Sequence, residues 1–142
     1  MKSKLTLPIL LLVAGCRSQS SPDQAIRDTL SKAVAALEAG DAAGATAILD
    51  DHYQGPEGMN KAATQYWMSQ ILKQGKVGVH ITDQDIGVNG NDAFEKVHVL
   101  FTQAGTGLLP DGSKKVYMLH WHRQGSAWRL MDVQDFTGAQ AN

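Results

Sequence analysis

Four groups of residues in this chain have chemistry beyond packing. The first is a single thiol, Cys16, preceded by Val13-Ala14-Gly15. A cysteine sulfur is a nucleophile, and small residues before it let an enzyme's backbone approach the neighbouring peptide bond. The second is a carboxylate: Trp128, Leu130 and Asp132 lie at two-residue steps, so in a strand they share a face and set an acid on an apolar row. Desolvation beside tryptophan would raise its pKa toward that of a proton shuttle, but no second acid or histidine can be assigned to the same pocket. The third is histidine. His80, His98, His120 and His122 all fall in strand-like segments, and His120 and His122 share a face opposite Leu119 and Trp121. Neutral imidazoles on one side of a sheet suit zinc or copper. Their spacing matches no ligand motif, so they read as solvated sheet-face side chains, with no metal or other cofactor expected. The fourth is aromatic: Trp67, Tyr117, Trp121 and Trp128 either line an open cavity or fill a core.

The amino-terminal context of Cys16 decides how its thiol is used. Lys2 and Lys4 are followed by an apolar run from Leu5 to Val13 and then by small Ala14 and Gly15, which is the layout of a secretory signal. An apolar run of about ten residues is too short for a helix that needs roughly 20 to cross a bilayer. Val13-Ala14-Gly15-Cys16 resembles the lipobox of bacterial lipoproteins. That resemblance implies cleavage between Gly15 and Cys16, lipid on the Cys16 sulfur, and a palmitate-type acyl anchor with more than one chain, as stable attachment requires. Arg17 stands where an aspartate would imply inner-membrane retention, so the resemblance implies the outer membrane, facing the periplasm. A plain secretory signal leaving Cys16 as a free thiol is the alternative.

Charge and length restrict the rest. Of 142 residues, 13 are Lys or Arg and 14 are Asp or Glu; losing Lys2 and Lys4 with residues 1–15 leaves 127 residues with 11 against 14, a net charge of -3. That is one ordinary domain with no basic block, which argues against nucleic acid and leaves membrane contact to the anchor. One cysteine forbids an internal disulfide. No phosphate loop, dinucleotide fingerprint, zincin motif or nucleophile elbow occurs.

The elements that must position these groups follow from periodicity. Residues 16–22 form the lipidated cysteine and a short polar tether, residues 23–138 a folded domain, and residues 139–142 a frayed tail. Ser21-Pro22 opens a first helix with Ile26, Leu30, Val34 and Leu37 on one stripe, stopped at Gly40. Asp41 caps a shorter helix with Ala45, Ile48 and Leu49 inward, ending near Asp50-Asp51-His52, and Tyr53 to Gly58 is a loop or a very short strand. A third helix runs from about Asn60 to Gln74, with Tyr66, Trp67, Met68, Ile71 and Leu72 on a broad apolar face. The period then changes to two. Strands carrying Val77, Val79, Ile81 and then Val97, Val99, Phe101 flank an Asn89-Gly90 turn, and two more, near residues 115–123 and 127–136, flank Gln124-Gly125. Between the pairs lies a Gly-rich loop with an apolar tip, Leu108-Leu109-Pro110, that a partner or a second subunit could cover.

Helices followed by strands of this kind bury their apolar sides only by packing across one sheet, an α+β arrangement. The helix-Gly40-Asp41-helix step, the aromatic third helix and the terminal Gly125-x-x-Trp128-Arg129-Leu130-x-Asp132-Val133 strand resemble the NTF2-like, or SnoaL-like, cystatin-fold superfamily. The resemblance implies a cone of three helices on a curved antiparallel sheet of about four strands. The reading that results is a lipid-anchored periplasmic domain, not an enzyme, that binds a small apolar ligand or another envelope protein. Two rivals remain: an isomerase-like enzyme using Asp132 as acid and base, and an assembly subunit forming a homodimer through its sheet.

Overall fold

The computed structural model describes residues 20–102 and 110–139. Cys16, the leader and most of the tether expected around it, the Leu108-Leu109 tip and the end of the tail lie outside these residues.

The first helix, α1 (Pro22–Glu38), begins where Ser21 and Pro22 place it. Ser21 holds the cap position through its carbonyl, which accepts from Ala25 N at 2.9 Å, and not through its hydroxyl. The hydroxyl instead bonds the Asp23 carboxylate and holds it below the usual carboxylate range. The helix ends at Gly40, whose φ of 80° suits a residue without a side chain. Ile26 and Ala33 are its buried positions.

Helix α2 (Ala42–Thr46) is capped by Asp41, whose carboxylate accepts from Gly44 N at 2.8 Å, but lasts little more than one turn. Here the structure corrects the sequence reading. Ile48 and Leu49 do not continue the helix: the chain becomes β1 (Leu49–Gln54), a fifth strand where about four were expected. Leu49 and Tyr53, both buried, are four residues apart, a spacing that one helix face and one strand face share. Parallel pairing of Leu49 with Leu130, near the other end of the domain, decides for the strand.

A 3₁₀ turn at Pro56–Gly58 leads to α3 (Lys61–Gln74), capped by the Asn60 side chain, which accepts from Ala63 N at 2.9 Å. Thr64 and Ile71 are its buried positions, while Tyr66 is 68% exposed and off the apolar face on which it was expected. Four long strands follow: β2 (Gly78–Asn89), β3 (Asp92–Thr102), β4 (Lys114–Gln124) and β5 (Ala127–Asp135), in spatial order β1-β5-β4-β3-β2. Gly90 and Gly125, both left-handed, make the β2–β3 and β4–β5 turns.

One face of the sheet packs on α1. Val79, Ile81 and Ile86 of β2, Ala93, Val97 and Val99 of β3, Leu119 and Trp121 of β4, and Trp128 and Leu130 of β5 close around Ile26 and Leu30. A satellite cluster joins Ile71 and Trp67 of α3 to Val77 and Phe101.

Asp50 ties β1 to the far turn of the sheet. It is 7% exposed, accepts from His52 N at 2.8 Å and from the Gln124 side-chain amide, and its pKa is lowered, chiefly by the His52 backbone bond. A carboxylate whose folded pKa lies below its unfolded value of about 3.9 contributes stability above that pH and loses it as pH falls through the folded pKa. Asp50→Asn should therefore narrow the gap between urea midpoints measured at pH 6 and at pH 3. An unchanged gap would show that Asp50 has no part in acid unfolding.

Candidate functional site

The interior of the cone is held by one polar chain running through its apolar wall. Glu95 stands on the inward row of β3 between Ala93 and Val97 and is fully buried. Its Oε2 accepts from Trp121 Nε1 at 2.9 Å, and its Oε1 from Gln84 Nε2 at 2.7 Å. The Gln84 carbonyl in turn accepts from Arg27 Nη1 at 3.0 Å. Four elements, α1, β2, β3 and β4, are joined by these three bonds. Burial pushes the Glu95 pKa up, and the hydrogen bonds from Trp121 and Gln84 and the charge of Arg27 oppose that rise.

The expected aromatic site residues divide between this wall and its surroundings. Trp121 and Trp128, 0% and 4% exposed, are core, with Arg123 over the Trp128 ring at 5.9 Å. Tyr117 packs beside them, and Trp67 belongs to the satellite cluster under α3.

Asp132 leaves the row it was expected to share. The pairing of β4 with β5 steps from Trp121↔Leu130 to His120↔Asp132, so Met131 is an extra residue. Such a bulge shifts the alternation. Trp128 and Leu130 face inward, whereas Asp132 sits in register with His120 of the opposite face. It lines a cleft of about 470 Å³ formed by Gln54–Gly58 of the β1–α3 connection and Asp132–Asp135 of β5. Beside it lie two phenols. Burial pushes Tyr53 up to about 12, with the Thr64 hydroxyl opposing and Asp132 adding to the rise. Tyr117 is likewise pushed up to about 12 by burial, with Asp135 and Tyr53 adding. The lining offers acceptors, Gln54, Glu57, Asp132 and Asp135, and no aromatic ring. A second cleft, of about 290 Å³, lies between the carboxyl ends of α1 and α3, lined by Glu38–Gly40 and Leu72–Lys76.

His80, His98, His120 and His122 all fall on the outer face of the sheet, but in two separate groups. His80 pairs with Leu100, and His98 with Asp83 and Val116. His120 and His122 lie toward the opposite end of the sheet, where both bond one oxygen: Asp92 Oδ1 is 3.0 Å from His120 Nε2 and 3.0 Å from His122 Nδ1. These two bonds hold the Asp92 pKa below the usual range. Phe94, 54% exposed, stacks on the His120 ring at 4.7 Å. Among the described residues no group of three or more His, Cys, Asp or Glu is arranged to hold a metal.

Glu95, Tyr53 and Asp92 are the residues that sequence reasoning missed. For Glu95 the signal is present: Ala93, Glu95, Val97 and Val99 alternate as one row.

No family model matches the sequence, and no curated protein is detectably similar to it. Solved structures are. An NTF2-like protein from Cytophaga hutchinsonii superposes with a TM-score of 0.70 at 15% identity, covering 82% of this chain and 98% of that one. An NTF2-like protein with a cystatin-like fold from Novosphingobium aromaticivorans gives 0.66 at 14%, covering 80% and 79%. A Bdellovibrio bacteriovorus protein gives 0.66 at 12% over 79% of this chain, which spans only 40% of that longer one. Among the described residues no helix is long and apolar enough to cross a membrane. Helices laid across a five-stranded curved open sheet, together with these superpositions, define the fold as NTF2-like, of the cystatin-like kind.

Proposed function

We propose that this chain is a lipid-anchored protein of the bacterial envelope, held by Cys16 in the outer membrane, whose NTF2-like domain binds another envelope component and performs no reaction. The observation that carries the anchor is Val13-Ala14-Gly15-Cys16 after a short apolar run, with α1 opening at Pro22 soon after. Binding without catalysis is supported by the occupancy of the cone. Ile26 and Trp121, both fully buried, fill its interior, and both oxygens of the buried Glu95 carboxylate already accept hydrogen bonds. A carboxylate with no exposed surface has no path to a substrate proton. Neither cleft is lined by Trp67, Tyr117, Trp121 or Trp128, so an envelope protein suits the domain better than a small apolar molecule.

The test is fractionation of cells making the native chain and Cys16→Ser, with incorporation of labelled palmitate. The native protein should sediment with membranes and carry label, and Cys16→Ser should do neither. An unchanged membrane fraction for the variant would refute the anchor. Native mass spectrometry of the domain from Ser18 onward would then report a co-purifying protein or its absence.

A further inference from the structure

The place where the tether joins the domain determines which end of the domain meets the lipid. Helix α1 runs alongside β2: Arg27 Nη1 reaches the Gln84 carbonyl at 3.0 Å, and the Glu38 carboxylate lies 3.5 Å from Val79 N. At about 1.5 Å per helical residue Arg27–Glu38 is about 16 Å long, and Val79–Gln84, which pairs with the four-residue step from Phe101 to Val97 because of a bulge after Ile81, is about 13 Å, so helix and strand are antiparallel neighbours of similar length. Continuing back from Arg27 to Ser21 carries the chain about 9 Å further, level with Gly87 of β2. The β2–β3 turn at Gly90-Asn91 is only about 10 Å beyond that level. The β4–β5 turn at Gly125-Ser126 lies at the same end, because Asp92 pairs with His122 and Arg123 N donates to Asn91 O at 2.7 Å.

The tether keeps this end of the domain close to the lipid. From Cys16 to Ser21 a fully extended chain reaches at most about 17 Å. With the turns projecting about 10 Å past Ser21, roughly 7 Å is left between them and the lipid surface.

We propose that the domain rests on the bilayer by this end, Val88–Asp92 together with His122–Ser126, and presents the two clefts described above to the aqueous side. The inference depends on the anchor at Cys16. The tip suits a headgroup layer. Its exposed residues are the polar Asn89, Asn91, Gln124 and Ser126, the cationic Arg123, and Val88 at 38% exposure. Asp92, its one carboxylate, is bracketed by His120 and His122. Arg123 and Asp92 nearly cancel at neutral pH, so the length of the tether and not charge sets the contact. The clefts lie at the carboxyl ends of α1, α3 and β5. The strand β5 alone, from its turn at Ala127 to Asp135, spans about 23 Å. A partner of either cleft therefore approaches from the side away from the membrane.

The experiment couples the isotope-labelled chain from Cys16 onward, through its one thiol, to a maleimide-bearing phospholipid in nanodiscs of phosphatidylethanolamine and phosphatidylglycerol. A paramagnetic headgroup lipid should relax the amides of Asn89–Asp92 and His122–Ser126 several-fold faster than those of Gln54–Gly58 and Asp111–Lys115, and changing the phosphatidylglycerol fraction should leave that ratio unaltered. Equal relaxation at both ends, or the reverse order, would overturn the orientation. Chemical coupling makes this result independent of natural lipidation. Flotation of the natural protein with vesicles, against Cys16→Ser, tests the anchor separately: failure to float with the nanodisc ratio intact refutes the anchor and leaves the orientation standing.

Discussion

Trp121→Ala should cost about 3–5 kcal/mol, a fifth or more of the stability of a domain whose total is on the order of 5–15. Trp121 is fully buried at the centre of the sheet, in contact with the layer that Ile26 of α1 covers, so truncation opens a cavity that the surrounding strands cannot close. The indole also donates to Glu95 Oε2 at 2.9 Å, and this second contribution can be isolated. Trp121→Phe keeps most of the apolar area but leaves a buried carboxyl oxygen without its donor, a loss of about 1–3 kcal/mol beyond the change in packing. Trp128→Phe is the control. Trp128 is 4% exposed and packs in the same cluster, but no buried carboxylate depends on it. Urea midpoints should rank the native protein above Trp128→Phe and Trp128→Phe above Trp121→Phe, with m values unchanged. Equal midpoints for the two phenylalanine variants would mean that the bond to Glu95 contributes nothing to stability.

The sequence makes some of this fold legible and hides the rest for definite reasons. Local signals are readable locally: Pro22 and Asn60 open their helices, Gly90 and Gly125 make their turns, and the alternating rows of β3 and β4, with those of β2 and β5 as far as their bulges, show the inward face. Strand β1 is hidden because what makes it a strand is a partner, Leu130, that is remote in sequence. The displacement of Asp132 is hidden because nothing in Leu130-Met131-Asp132 announces a bulge, and one extra residue reverses the face of everything beyond it. The four histidines do share one face, but strand offsets separate His80 and His98 from His120 and His122, and the carboxylate that joins the latter two comes from Asp92, at the start of the neighbouring strand. Glu95 is open to view as the acid in an apolar row. Val13-Ala14-Gly15-Cys16, the stretch that resembles a lipobox, lies outside the described residues.

Glu95→Gln, nearly isosteric, should destabilise the domain by about 1–3 kcal/mol, and Arg27→Met should recover part of that loss in the double variant. The reason is the direction of the polar chain. Arg27 can only donate, so its bond at 3.0 Å holds the Gln84 carbonyl toward α1 and turns the Gln84 amide nitrogen toward Glu95. Trp121 Nε1 can also only donate. Two donors thus converge on position 95, which a carboxylate accepts and a carboxamide cannot: one end of a carboxamide there would set its own N–H₂ against a donor. Removing Arg27 frees Gln84 to reverse and accept from the substituted carboxamide, so the two substitutions should not add. The pH dependence supplies a second reading of the same group. Burial raises the folded pKa of Glu95 above its unfolded value of about 4.3. The folded state therefore holds that proton more tightly, and stability declines as pH rises through the interval between the two pKa values. Glu95→Gln should remove this decline, while the acid-side loss from Asp50, opposite in sign, persists. Additive costs in the double variant would show that Arg27 does not orient Gln84, and a decline retained in Glu95→Gln would assign it to another group.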